Sequence, residues 1–128
     1  MFPVIYVNCS KYPFIEQIQN LEKLFETRNR NTLKRFIGKR VLLAETGKGK
    51  KPFVRCSVTI SDCIRIDNKK DFDKYRKQTC IVNGSAYDWK QDTKQKYLYR
   101  LTDVKPVPGF VPEGIRHGRT WIEITTDN

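Results

Sequence analysis

The chain contains one histidine, His117, and its four cysteines include no Cys-x-x-Cys pair. Zinc sites are built from close Cys and His pairs. Cys9, Cys56, Cys63 and Cys80 are therefore expected to be reduced thiols, and neither a metal nor any other cofactor is expected. No apolar stretch approaches the roughly 20 residues that cross a bilayer. The opening Met1-Phe2-Pro3-Val4-Ile5-Tyr6-Val7 has no charged leader, and its apolar run is too short for a signal peptide. These absences predict a cytoplasmic protein with no membrane partner. No Ser/His/Asp or Cys/His arrangement supports nucleophilic catalysis, and His117, between Arg116 and Arg119, reads as a surface residue. Gly47-Lys48-Gly49-Lys50-Lys51 lacks the spacing of a P-loop. Acidic residues are scarce as well: 25 Lys and Arg face 14 Asp and Glu, a formal charge of +11. That excess predicts a polyanionic partner such as nucleic acid.

What is present is enough for one domain over residues 1–128, with a core of its own. Residues 2–8 read as a β-strand buried on both faces. Phe14, Ile15, Ile18, Leu21 and Phe25 recur at helical steps, which predicts an amphipathic helix of about three turns behind Pro13. Residues 26–31 read as a short strand or an irregular exit, and residues 32–37 as a brief helix stopped by Gly38. Residues 41–46 and 53–60 form a hairpin with a basic tip, its second arm extending through 61–66. Cys56 alternates with Val54, Val58 and Ile60 on one inward face. Residues 68–78 predict a short surface helix, residues 95–104 a strand, and residues 119–125 a last strand. Pro106, Pro108, Gly109, Pro112 and Gly114 argue against regular structure between those two strands. The fold class is α+β. Five or six short, mainly antiparallel strands are expected to close into a small barrel, because a small sheet must protect its edges.

Residues 20–30 stand out. Lys23 and Glu26 are spaced for one helical face, and Glu26 and Arg28 for one face of a strand, so the three can converge. The helix leading into Lys23-x-x-Glu26-x-Arg28, with the Gly38-Lys39-Arg40 turn opening a strand, resembles the ASCH domain family of the PUA-like superfamily. Tyr99-Arg100-Leu101-Thr102-Asp103-Val104-Lys105-Pro106-Val107 and Trp121-Ile122-Glu123-Ile124 are similar to that family's closing strands. The resemblance spans residues 4 to 125, except for 61–94. It implies a small PUA-like β-barrel with helices beside it and a cleft floored by the motif. It also implies a role among those of the family: RNA binding, a coactivator-associated module, hydrolysis of an acylated cytosine nucleoside, or cleavage of single-stranded RNA. In the acylcytidine hydrolases the motif lysine is catalytic, and a threonine stands where this chain has Glu26. The family pattern, Gly-x-Lys-x-x-Glu-x-Arg, puts its glycine at Leu21, and a leucine there predicts a helix continuous through Lys23.

Lys23 can hold a phosphate, neutralise Glu26, or act as a base if burial lowers its pKa. Glu26 can accept from a base amino group or relay protons, and Arg28 can fork onto phosphate or onto Glu26. The alternative is an ion network that pins the helix end to the sheet. Between Thr27 and Ser61 ten Lys and Arg face the single acid Glu45. Arg28, Arg30, Lys34, Lys48 and Lys50 are the foremost candidates for a phosphodiester backbone, with Tyr87 and Trp89 as stacking platforms for unpaired bases. The leading expectation is an RNA- or nucleotide-binding protein whose cleft lies beside Lys23, Glu26 and Arg28. The alternatives are a hydrolase of a modified nucleobase or a ribonuclease, with Lys23 and Glu26 catalytic, and a protein-interaction module.

Overall fold

The computed structural model describes residues 2–47, 49–117 and 121–124, with backbone alone for 115–117. The β-branched and aromatic N-terminal run forms strand β1 (Phe2–Asn8), followed by helix α1 (Phe14–Gln19) and strand β2 (Phe25–Arg28). A 3-10 turn at Lys34–Phe36 leads to the hairpin of β3 (Lys39–Gly47) and β4 (Lys50–Ile66). Helices α2 (Lys69–Asp73) and α3 (Arg76–Thr79) precede β5 (Lys96–Phe110), β6 (Ile115–His117) and β7 (Trp121–Ile124). Together they make one mixed seven-stranded sheet in the order β2-β5-β4-β3-β1-β7-β6, with β1 parallel to β3 and the other pairs antiparallel.

Four expectations are corrected. The sheet is open rather than a closed barrel: among the described residues its end strands, β2 and β6, do not pair with each other. The three-turn helix is six residues long. Strand β5 continues through Pro106 and Pro108 to Phe110: Pro106 stays in register opposite Cys56, and Pro108 falls in the irregular stretch between the Cys56 and Val54 pairings, where no ladder donor is needed. The single surface helix over 68–78 is two short ones, capped at the start by the Asn68 side chain accepting from Asp71 N–H, and Phe72 is fully buried beneath them.

The apolar residues form two clusters on opposite faces of the sheet. The larger joins Ile5, Val7, Phe14, Ile15, Ile18, Phe25, Val58, Ile60, Leu98 and Tyr99 beneath the helices. The smaller joins Val4, Leu42, Ala44, Val54, Ile122 and Ile124. A bulge opposite Leu43 and Ala44 makes the switch. Cys56 pairs with Leu43 and lies in the first cluster, whereas Val54 pairs with Ala44 and lies in the second. Directly opposed residues share a face, so Val54 and Cys56 point apart and residues 53–60 do not present a single apolar face. All four cysteines are unpaired. Among the described residues no helix is long and apolar enough to cross a membrane.

Candidate functional site

The end of α1 sets the geometry. Leu21 N–H donates to the Ile18 carbonyl at 3.1 Å, and Glu22 N–H donates to the Gln17 carbonyl at 2.9 Å. Those two bonds define a Schellman motif, with Leu21 at the left-handed position that glycine usually fills. Leu21 has φ 61° and its side chain is 65% exposed. The turn that the motif glycine would make is thus present without the glycine, and the helix does not continue through Lys23. Instead the chain reverses and delivers Lys23 to the interior, two residues ahead of β2.

Lys23 is 1% exposed. Its ammonium donates to the Thr79 carbonyl at 2.6 Å, lies 4.0 Å from Glu26 Oε1, and sits 4.5 Å from the centre of the Phe14 ring. Burial pushes its pKa below the usual lysine value, against the pull of the Glu26 carboxylate. Glu26 is 8% exposed, and its two oxygens are divided: Oε1 accepts from Thr27 N–H at 3.1 Å and Oε2 from Arg28 Nη2 at 3.2 Å. The same Arg28 nitrogen donates to the Tyr6 carbonyl of β1 at 2.7 Å. The trio is therefore an ion network tying the end of α1 to two strands, and part of it also borders open space.

That space is a cavity of about 380 Å³ between β1 and β2, walled by Glu26, Thr27, Arg28, Phe14 and Tyr87, with Lys96 among its lining residues. It exists because β1 and β2 approach without pairing, bridged there by the Arg28 side chain. Successive residues of a strand present backbone groups to alternate edges. Cys9 N–H donates to the Thr46 carbonyl on the β3 side, while the Tyr6 carbonyl faces Arg28. Asn8 accordingly turns its N–H and C=O toward the cavity. On β2, Leu24 C=O accepts from Leu101 N–H of β5. Thr27, three residues on, turns its own groups the other way, its N–H toward the Glu26 carboxylate and its C=O toward the cavity. Tyr87 stands edge-on to Phe14 at 5.4 Å, and burial, then the Glu26 carboxylate, holds its phenol above the ordinary pKa.

Only part of the expected set meets here. Glu26, Arg28 and Tyr87 line the cavity, while Lys23 lies behind Phe14 and Glu26 rather than in the wall. Arg30 lines an adjoining hollow of about 360 Å³ with Lys90 and Lys94. Lys50 borders a third hollow that meets the cavity at Thr46. Lys34 is exposed on a separate shallow surface with Asn31, Thr32 and Arg35. Trp89 packs against Phe72 at 6.0 Å and is not in the cavity wall. Lys48 and the side chain of His117 lie outside the described residues. The sequence reading missed Asn8 and Thr27, whose backbones matter rather than their side chains, and Lys96. The signal for Lys96 was a lysine in strand phase with the fully buried Leu98.

This mixed open sheet flanked by short helices has the fold of ASCH domain proteins. Three crystal structures of the ASCH protein from Zymomonas mobilis carry that likeness. A Tyr-to-Phe variant superimposes with a TM-score of 0.68 at 18% identity, covering 84% of this chain and 73% of that one. The protein itself gives 0.63 at 17% identity, with 81% and 68% covered. A Ser-to-Ala variant gives 0.66 at 17% identity, with 84% and 72% covered. No family model and no curated protein matches the sequence.

Proposed function

We propose that this protein binds an unpaired nucleotide, free or within single-stranded RNA, with the base in the cavity between β1 and β2. The observation that supports this reading is the cavity's composition. A base is a planar group with an apolar face and a hydrogen-bonding rim. Tyr87 offers ring surface, backed by the buried Phe14 ring, and Glu26, Arg28, the Thr27 carbonyl and the Asn8 backbone offer rim partners. Arg30 and Lys50 flank the cavity on two sides, where a strand's phosphates would pass. A net charge of +11 favours the same class of partner. Four unpaired cysteines suit a reducing, cytoplasmic setting. Catalysis by Lys23 has less support, since its ammonium is committed to the Thr79 carbonyl and does not line the cavity.

Fluorescence anisotropy of a labelled short single-stranded RNA tests the reading. Affinity should fall with salt, with roughly −0.7 added to the log–log slope per neutralised phosphate. Tyr87→Ala should weaken binding by about 1–3 kcal/mol, the scale of one base–aromatic stack. Salt-independent binding, or a Tyr87→Ala protein that binds as tightly as the parent, would refute it. Incubating the protein with RNA and with acylated cytidine, followed by chromatography, checks for turnover in the same preparation.

A further inference from the structure

The cavity and the hollow beside it share three lining residues, Asn29, Ala86 and Lys96, so the two are adjacent, with Lys96 at their common wall. Lys96 is 4% exposed. Its ammonium donates to Asn29 Oδ1 at 2.8 Å and lies 5.6 Å from the centre of the Phe72 ring. Neither partner is charged, and among the described residues no carboxylate reaches it as an ion pair. Asp88 is the acid that acts on it, and Asp88 is already committed. Its oxygens accept from Arg76 at 2.9 Å and from the N–H groups of Gly84 and Trp89, each at 2.7 Å. A buried charge without a counter-charge is costly and usually finds a partner. Here no described carboxylate comes within ion-pair distance, Asp88 acts only from farther off while bound to Arg76, and the charge sits beside two open spaces.

The hollow points to what the partner is. Besides Lys96 it is lined by Arg30, Lys90 and Lys94, against Asp88 and Asp92. The Arg30 and Lys94 side chains are exposed and make no hydrogen bond or ion pair with another described residue. With Asp88 neutralised by Arg76, three further cations outweigh Asp92 around Lys96. An anion lodged there would meet a buried ammonium on one side and exposed cations at the rim.

We infer that Lys96, with Arg30 and Lys94, forms a phosphate subsite for the ligand whose base occupies the cavity, so that the protein recognises nucleotides rather than nucleosides. This rests on the base-in-cavity reading and adds a second anchor to it. The phosphate can be a terminal monoester or an internal diester of a strand. Lys96 lowers the cost of its own burial by taking that phosphate as counter-ion, and its burial excludes the water that would screen the pair.

Isothermal titration of the intact chain, at fixed ionic strength, separates these claims. The probes are the four common ribonucleosides, their 5′- and 3′-monophosphates, dinucleoside monophosphates and inorganic phosphate. At least one monophosphate or dinucleoside monophosphate should bind tenfold or more tightly than its parent nucleoside. The monoester and diester arms identify which form of phosphate is held. Lys96→Met should abolish that preference, read as the ratio of nucleotide to nucleoside affinity within the variant, and melt no lower than the parent, because it removes a buried charge that has no ion-pair partner among the described residues. Should Lys96→Met not fold, the exposed double variant Arg30→Ala/Lys94→Ala carries the same comparison and should lower the preference at least threefold. Equal binding of nucleosides and nucleotides by the parent overturns the phosphate subsite and leaves the base cavity standing. A preference that persists in Lys96→Met, or in the double variant, overturns it too. No binding of any nucleoside, nucleotide or dinucleotide overturns both.

Discussion

Leu21 occupies a backbone conformation that suits glycine, and replacing it tests the account of the turn. A non-glycine residue in the left-handed region carries about 1–2 kcal/mol of steric strain. Leu21→Gly relieves it, and the side chain given up is 65% exposed, so little packing is lost. Against the gain stands the greater freedom of glycine in the unfolded chain, about 0.4–1 kcal/mol. The two hydrogen bonds of the turn, from Leu21 N–H and Glu22 N–H, are backbone bonds that survive the change. The net expectation is a stabilisation of about 0.5–1 kcal/mol. For a chain of 128 residues that raises the melting temperature by about 2–4 °C, using an unfolding entropy of roughly 2 cal/mol/K per residue. Urea denaturation with a common m-value is the assay, and Leu21→Ala is the control. Alanine removes the same apolar branch but keeps the Cβ and therefore the strain, so it should show no gain. A glycine variant no more stable than the alanine variant would refute the reasoning. RNA affinity should be unchanged in Leu21→Gly, because the path of the chain into Lys23 stays the same.

Two further outcomes follow from buried groups. Lys23→Ala removes a fully buried stem and its bond to the Thr79 carbonyl, and should cost about 2–4 kcal/mol in urea denaturation, whereas Lys23→Met, which keeps the volume, should cost less than about 1.5 kcal/mol. Equal losses would mean that the ammonium rather than the stem holds the site. Burial raises the Cys56 thiol from 9.0 to about 11. The folded state therefore keeps a proton that the unfolded chain releases. The resulting stability is intact below pH 9 and is lost as pH rises through about 11, on the order of 2 kcal/mol in all. Cys56→Val should flatten that part of the stability–pH curve, and a curve of unchanged slope would contradict the assignment.

Much of the sheet was legible from residue type and alternation. Residues 2–8, the hairpin arms and the strand from about residue 95 all rest on β-branched and aromatic runs, and all are strands. The helix end was not legible, because Leu21 and Phe25 extend the apolar spacing of Phe14, Ile15 and Ile18 while serving other structures. Leu21 is an exposed turn residue and Phe25 a buried residue of β2. Periodicity cannot distinguish a helix that continues from one whose successor residues happen to fall in phase. The prolines of β5 misled for a related reason: a proline breaks a ladder only where its N–H would donate, and that depends on register. At the site, Glu26, Arg28 and Tyr87 were readable as side-chain types. The contributions of Asn8 and Thr27 come from which edge their backbones face, and that is fixed only when β1 fails to pair with β2.

Strand β4 belongs to both faces of the sheet. Over 17 residues it pairs with β3 on one side and β5 on the other, and its bulge sends Val54 into the smaller cluster and Cys56, Val58 and Ile60 into the larger. Neither cluster can come apart while β4 holds its place, and neither survives its departure. The two cores are thus one cooperative unit, and the loss of either face is the loss of the whole. The slowest-exchanging amides of the molecule are expected along the middle of this strand.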